Sequence, residues 1–299
     1  MKSIADILGI EFPVIQGGMA RIATGAFAAA CSNAGALGVI ASGGISCEQL
    51  KREIHVCREN TKKPFAINII VNHPDFEQIA KLVIQEKVSV VITGNGIASQ
   101  YVKLWKEASI LVIPVIGVPV FAKYMERAGA AALIAEGNES GGHIGPLTTM
   151  TLIPQVCDNT SLPVIAAGGI ADNRQYKAAL ALGACGVQIG TSLLASEECP
   201  IHDNYKNKLI KARSTDVVVT GYSAGDPVRV LKNKMSQTYL QKEREGADKE
   251  ELDALTMGGL SKAVFDGDMD NGSPMAGLVC GQIKEIKPIR QILEDICFG

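Results

Sequence analysis

His143 is the residue of this chain best suited to move a proton. It lies in the stretch EGNESGGHIG, residues 136–145, where four of ten residues are glycine, and it directly follows the apolar run 130–135. An imidazole changes charge near physiological pH and so serves as acid or base there. Glycines on either side let the backbone lie close against a flat ligand. A lone histidine in a glycine-rich turn is as often structural or merely exposed as catalytic. Its weight depends on the loops that share its end of the fold.

Those loops carry matching chemistry. Ala166-Ala167-Gly168-Gly169-Ile170-Ala171-Asp172 and Gln188-Ile189-Gly190-Thr191-Ser192 each close an apolar run. Backbone N–H groups and hydroxyls at such turns suit a phosphate, and Asp172 suits the N-cap of a following helix. Either loop alone is a weak signal, and the two together point to a phosphate-bearing ligand. Gln16-Gly17-Gly18-Met19-Ala20 adds glycine contact and a thioether able to lie on a ring face, while Asn68 adds an amide that both donates and accepts. Core packing of Met19 and turn capping by Asn68 are the ordinary alternatives. Neither G-x-x-x-x-G-K-[ST] nor G-x-G-x-x-G occurs, which disfavours a nucleotide held in those ways. The other histidines are weaker candidates: His73 precedes a proline in a turn, His55 falls on a polar helix, and His202 lies in a polar segment. Glu136 is the one carboxylate we nominate at the end of an apolar run.

The elements that must position these residues follow a regular rhythm. Short apolar runs, most of them rich in Val and Ile, occur at 13–15, 37–41, 65–69, 89–93, 110–116, 131–135, 163–167 and 186–189. Their lack of polar alternation marks strands buried on both faces, and stretches such as 75–86 and 118–128 between them have helical spacing. The pattern predicts an α/β fold, a (β/α)8 TIM barrel, with a doubly wound open sheet as the alternative. In a barrel, the loops after strands seven and eight commonly hold phosphate.

The rhythm stops near Ser196. Residues 200–270 are more polar and include the charge run QKEREGADKEE at 241–251, which reads as a solvated helical face. We expect a barrel over 1–199, a small mainly helical subdomain over 200–270 inserted after the eighth strand, and a return to the barrel over 271–299. Within that last segment, 275–280 reads as an apolar helix and 286–296 as an amphipathic one.

Composition narrows the function. Acidic residues exceed basic ones by only two, 31 against 29, and aromatics make up 5%. Neither nucleic acid nor an anionic membrane is favoured as a partner. The start MKSIADILGI lacks a secretory apolar region, and the longest apolar run, 110–120, is broken by Pro114, Gly117 and Pro119. A soluble, cytoplasmic protein is expected. Eight scattered cysteines form no C-x-x-C pair, so reduced thiols are expected, with neither disulfides nor zinc. The apolar tail and polar subdomain point to a homodimer.

GGMA near the N-terminus, EGNESGGHIG followed by LTTMTLIPQV, then PVIAAGGIAD, VQIGTS and KAVFDGDMDNGSPMAG resemble the nitronate monooxygenase superfamily of FMN-dependent barrels. Within it, the chain is most similar to the bacterial FabK-type enoyl-acyl-carrier-protein reductases, along nearly its whole length. The resemblance implies FMN at the C-terminal mouth of the barrel, reduced by NADH or NADPH, and reduction of the trans-2 double bond of an acyl chain on acyl carrier protein. By position, Gly18, Met19, Asn68 and Glu136 would line the isoalloxazine and ribityl part. Gly168, Gly169, Gly190 and Thr191 would hold the phosphate, and Gly141, Gly142, Ala167 and Gln188 complete the cofactor-binding set. His143 matches the family's active-site histidine. A monovalent cation held by backbone carbonyls of the C-terminal loop region is also implied, with no other metal.

One departure is visible, since many relatives carry glutamine where this chain has Leu278. The acidic carrier protein would call for a basic patch, which Lys206, Lys208, Lys211 and Arg213 offer, although a solvated helix face is the more ordinary reading of those four. A nitronate monooxygenase, with His143 as base, is the rival within the same superfamily. A redox-silent phosphate-binding barrel is the rival from another class.

Overall fold

The computed structural model describes residues 3–96 and 98–299. In chain order the strands are β1 (Val14–Gln16), β2 (Gly38–Ala41), β3 (Phe65–Ile70), β4 (Val90–Gly94), β5 (Leu111–Ile116), β6 (Leu133–Glu136), β7 (Gly142–His143), β8 (Val164–Ala167), β9 (Val187–Ile189), β10 (Val217–Thr220) and β11 (Val228–Leu231). All but β7, β10 and β11 pair in parallel in the order β1-β9-β8-β6-β5-β4-β3-β2. The two ends of that sheet meet through a parallel bridge from Ile15 to Leu37. The amide of Gln16 donates to Leu37 O at 2.9 Å, and that of Leu37 to Val14 O at 3.0 Å. Because β1 is only three residues long, a side chain extends the seam: Gln16 Oε1 accepts from the amide of Val39 at 3.0 Å. The eight-stranded barrel expected from the apolar rhythm is therefore present.

Alternate strand residues serve two cores, as the two-residue side-chain period dictates. Ile15, Val39, Ala66, Val90, Ile92, Ile113, Ile134 and Ile165 belong to one buried cluster with Ile4 and Leu8 of the helix Ile4–Leu8. The amide of Ile4 donates to Cys185 O at 3.1 Å, which docks that helix against the segment entering β9. Ile40, Ile67, Ile69, Val91 and Val112 belong instead to a second cluster with the helices outside. Burying each such side chain stabilises the fold by about 1.5–3 kcal/mol. Capping sets the helix starts: Asp172 accepts from the amide of Arg174 at 2.9 Å, and Gln175 answers it in a capping box that opens Asn173–Ala181.

Beyond the barrel the chain forms Asp203–Lys211, the antiparallel hairpin β10–β11, then Lys234–Glu245 and Lys249–Thr256. The charge run spans the last two helices and breaks at Gly246, whose φ is +85°. The hairpin adds strand structure to a segment whose polarity suggests a mainly helical subdomain. Val217-Val218-Val219-Thr220 and Val228-Arg229-Val230-Leu231 are β-formers around a turn with two left-handed glycines, Gly221 and Gly225. β11 also takes up β7, giving a three-stranded sheet in the order β10-β11-β7.

Residues 275–280 are not the apolar helix expected. Met275 bridges Val230, and only a short 3-10 turn, Leu278–Gln282, follows. The amide of Gly277 is tied to Thr191 Oγ1 at 3.0 Å, which holds the segment as a strap across the barrel end. The closing helix runs Ile289–Phe298. All eight cysteines are free, and no helix among the described residues is long and apolar enough to cross a membrane.

Candidate active site

A cavity of about 790 Å³ opens at the C-terminal ends of the barrel strands, within the size range of small-molecule sites. Gly18, Met19, Asn68, Glu136, Gly141, Gly142, His143, Ala167, Gly168, Gly169, Gln188, Gly190 and Thr191 all line it. The structure thus brings His143 and the twelve residues expected to bind the cofactor around one cavity.

Close backbone approach shapes the floor. A Cβ on Gly18 would lie 2.4 Å from Asn68 Cγ, so β1 and β3 fit here only through glycine. Gly168, at φ +88°, turns the chain after β8 so tightly that a Cβ would lie 2.6 Å from Gly137 O. Thr149 Oγ1 locks the same corner by donating to Gly168 O at 2.9 Å. Its amide donates to the Glu139 carboxylate at 2.8 Å, and that carboxylate, also 2.9 Å from the hydroxyl, is the alternative acceptor for the single Thr149 O–H. Glu139 therefore caps the helix Thr149–Asp158, which has no cap from its own Thr148 side chain. Glu136 is half-buried on the cavity wall, where loss of solvent pushes its carboxyl up to about 7.

His143 does not sit on a free loop. It is the second residue of β7, opposite Val228 of β11, and the amide of Ile144 donates to Pro227 O at 3.1 Å. Arg229, buried beside it, donates from Nε to Ser140 O at 3.1 Å and from Nη2 to Asn138 O at 2.7 Å. Burial pulls its guanidinium below the usual arginine range. The imidazole is half-exposed at the mouth, with Nε2 3.4 Å from Asp226 Oδ2. Tyr205 supports the opposite strap by donating to Met275 O at 2.6 Å.

Asp226, Arg229, Met275 and Glu139 were not singled out by sequence. The signal for the first two was the hairpin of β-branched residues in a segment read as helical. Met275 and Glu139 carry no local signal, because their roles arise from contacts remote in the chain.

The remaining histidines are engaged elsewhere. His73 bonds Ile45 O at 2.9 Å and accepts from the amide of Asp75, His55 pairs with Glu86, and His202 caps Asp203–Lys211. Of the four basic residues around 206–213, Lys211 and Arg213 are exposed, while Lys206 and Lys208 are drawn onto internal carbonyls. Lys206 is buried and donates to Ser196 O at 2.7 Å, Lys208 donates to Met269 O at 3.0 Å, and Arg213 is paired with Asp216. Leu278 is absent from the cavity wall, which Met275 and Val279 reach instead.

Known proteins share this arrangement. The sequence profile named "Nitronate monooxygenase" matches residues 2–82 and 74–299. The chain belongs to the nitronate monooxygenase family. It superimposes on FabK from Thermotoga maritima with a TM-score of 0.96 at 45% identity, covering 99% of this chain and 95% of that one. A nitroalkane oxidase from Streptomyces ansochromogenes gives a TM-score of 0.86 at 25% identity, covering 98% and 96%. By sequence, the chain is 37% identical to (3aS,4S,5R,7aS)-5-hydroxy-7a-methyl-1-oxo-octahydro-1H-indene-4-carboxyl-CoA dehydrogenase of Mycobacterium tuberculosis. That match covers 78% of this chain but only 66% of the relative, just under two thirds of its length. A probable nitronate monooxygenase of Staphylococcus saprophyticus is 33% identical, over 77% of this chain and 78% of its own.

Membership of the nitronate monooxygenase family implies FMN. The cavity residues fit that group. Gln188 Oε1 and Ser140 Oγ are buried on the wall with no partner among the described residues, as expected of groups that meet a polar ring edge or ribityl chain. The amides of Gly169 and Ile170 likewise have no acceptor among the described residues, as expected of a phosphate cradle. The Thr191 hydroxyl accepts from Gly277 and keeps its own proton to donate. Gly18, Met19, Asn68 and Gln188 would then hold the ring system, and Gly168 to Ile170 with Gly190 and Thr191 the phosphate.

Proposed function

We propose that this chain is an enoyl-acyl-carrier-protein reductase of the FabK type, using NADH or NADPH. The observation that carries the proposal is the 45% identity with FabK from Thermotoga maritima over 99% of the chain. The reaction balances as enoyl thioester, NAD(P)H and one proton giving the saturated thioester and NAD(P)+. FMN, held by Gly18, Met19, Asn68 and Gln188 at its ring, would supply the hydride-transfer chemistry between nicotinamide and enoyl group.

The chain itself supplies orientation, charge stabilisation and the proton. The His143 imidazole lies at the mouth, where it donates a hydrogen bond to the thioester oxygen or a proton to the α-carbon. General-acid help of this kind is worth about 10²–10⁴-fold. Ile22, Phe121, Met125, Ile144 and Met275 give the same cavity an apolar wall that suits an acyl chain and excludes water. With Lys206 and Lys208 spent on internal carbonyls, a carrier protein would have to dock through other cations.

A second reading, oxidation of alkyl nitronates with oxygen, is favoured by the family profile and the staphylococcal relative. One experiment separates the two. Purified FMN-loaded protein is given NADH with crotonyl-acyl carrier protein or crotonyl-CoA, with and without potassium or ammonium, and oxygen uptake is followed separately with an alkyl nitronate. Oxygen-independent NADH loss that needs the enoyl substrate supports the reductase. Turnover with nitronate alone overturns it, and preference for the carrier-protein substrate over the CoA thioester identifies the carrier.

A further inference from the structure

We infer that Asp226 is a positioning residue for His143, accepting from its Nε2–H and leaving Nδ1 as the ring nitrogen that meets the substrate. The inference rests on the reductase reading above for the identity of that substrate, and on geometry for the rest. Asp226 and His143 both line the cavity, with Oδ2 3.4 Å from Nε2.

The backbone that presents the carboxylate is fixed, while both side chains stand half-exposed at the mouth. Asp226 ends the β10–β11 turn: its amide donates to Gly221 O at 3.0 Å, and Gly221 adopts φ +85°. A Cβ on Gly221 would lie 2.3 Å from Asp226 O, so the turn closes only around glycine. The next residue, Pro227, accepts from Ile144, and the one after, Val228, stands directly opposite His143. The register that makes β7 a strand is therefore the same register that brings the carboxylate to the imidazole.

An exposed pair of this kind adds little to stability. Its chemical use is to hold one rotamer and to keep Nε2–H engaged when the ring carries both protons, so that Nδ1–H is the proton offered to the substrate. At 3.4 Å the two atoms are an ion-pair contact, and hydrogen bonds of catalytic groups are often this long before substrate is bound. The sequence hides the arrangement, since Asp226 lies in a segment whose composition is that of a solvated surface.

The test is a double-mutant cycle on the FMN-loaded protein with Asp226→Asn and His143→Ala. We expect Asp226→Asn to lower kcat for the enoyl thioester about tenfold with KM nearly unchanged, and to add nothing in the His143→Ala background. FMN content and the anaerobic rate of flavin reduction by NADH stay at wild-type values, which excludes a folding defect, and Asp226→Glu restores part of the rate. Full turnover by Asp226→Asn, or an equal further loss on top of His143→Ala, overturns the inference while leaving the reductase reading intact. If the wild-type protein turns over nitronate and not the enoyl thioester, that reading fails by itself, and the same cycle run with nitronate still decides the role of Asp226.

Discussion

The barrel-end cradle and the added three-stranded sheet build opposite sides of one cavity by different means. The cradle is made of turns at strand ends, Gly168 to Ile170 after β8 and Gly190 to Thr191 after β9, held by short-range packing and by Thr149. The sheet is assembled from β7, which leaves the barrel after β6, and from a hairpin that comes only after the barrel is complete. It carries His143 and Asp226 on its open side and Arg229 on its buried one. In the proposed reductase, binding the cofactor falls mainly to the barrel-end turns and facing the substrate mainly to the sheet. A site divided in this way can lose one ability and keep the other.

His143→Ala gives the largest expected effect and the first way to break that division. Turnover with the enoyl thioester should fall about 10²–10⁴-fold, because a general acid is removed. FMN content, read from the visible flavin bands, should be unchanged, because no cradle contact depends on the imidazole. Loss of flavin together with turnover would mean that the sheet also holds the cofactor.

Gly168→Ala is the mirror experiment. The new methyl meets Gly137 O at 2.6 Å and Ser140 N at 3.2 Å, at a φ of +88° that L side chains rarely adopt. Strain of about 2–3 kcal/mol is expected, or roughly 30–150-fold in FMN affinity by fluorescence titration. Protein reloaded with excess FMN should recover most of its turnover. Failure to recover would show that the corner at Gly137 also sets the position of His143.

The same contrast governs what the sequence reveals. Strand period, glycine turns and the Asp172 cap are local patterns, so the barrel could be read directly, and thirteen of the cavity residues from such patterns together with the family resemblance. The partners of those residues could not. Arg229 reaches Asn138 and Ser140 across a long stretch of chain, and the strap at Met275 is fixed by Tyr205 and Thr191. A polar segment rich in Lys and Glu hides a valine-rich hairpin, because its helices dominate the composition on either side. The lysines near 206 misled for a related reason: charge predicts exposure, yet Lys206 is buried on two carbonyls.

Glu136 sharpens the comparison through pH. Its carboxyl is raised from 4.5 to about 7 by burial, so between those values the folded chain keeps a proton that the unfolded chain has released. Stability contributed by this group is full at pH values below about 4.5, falls as pH rises through about 7, and is level above. Allowing for the part of Glu136 open to the cavity, the fall is about 1–2 kcal/mol. Chemical denaturation of the flavin-free protein across this range should show that slope in the wild type and not in Glu136→Gln. Persistence of the slope in the variant would place its origin outside the cradle.

Leu278→Gln gives the smallest expected effect and tests where the cradle ends. The resemblance places glutamine at this position in many relatives, which raises the question of a contact near the flavin. In this chain the backbone answers it: the amide of Leu278 donates to Glu139 O at 3.0 Å, while Met275 and Val279, not Leu278, present side chains to the cavity. A substitution off the wall changes such a site by less than about 0.5 kcal/mol, so turnover should stay within about twofold of wild type and the flavin spectrum should not shift. A larger change in either would mean that the strap from Met275 to Val279 belongs to the cofactor side of the cavity. The division would then run between strap and sheet, not between sheet and barrel.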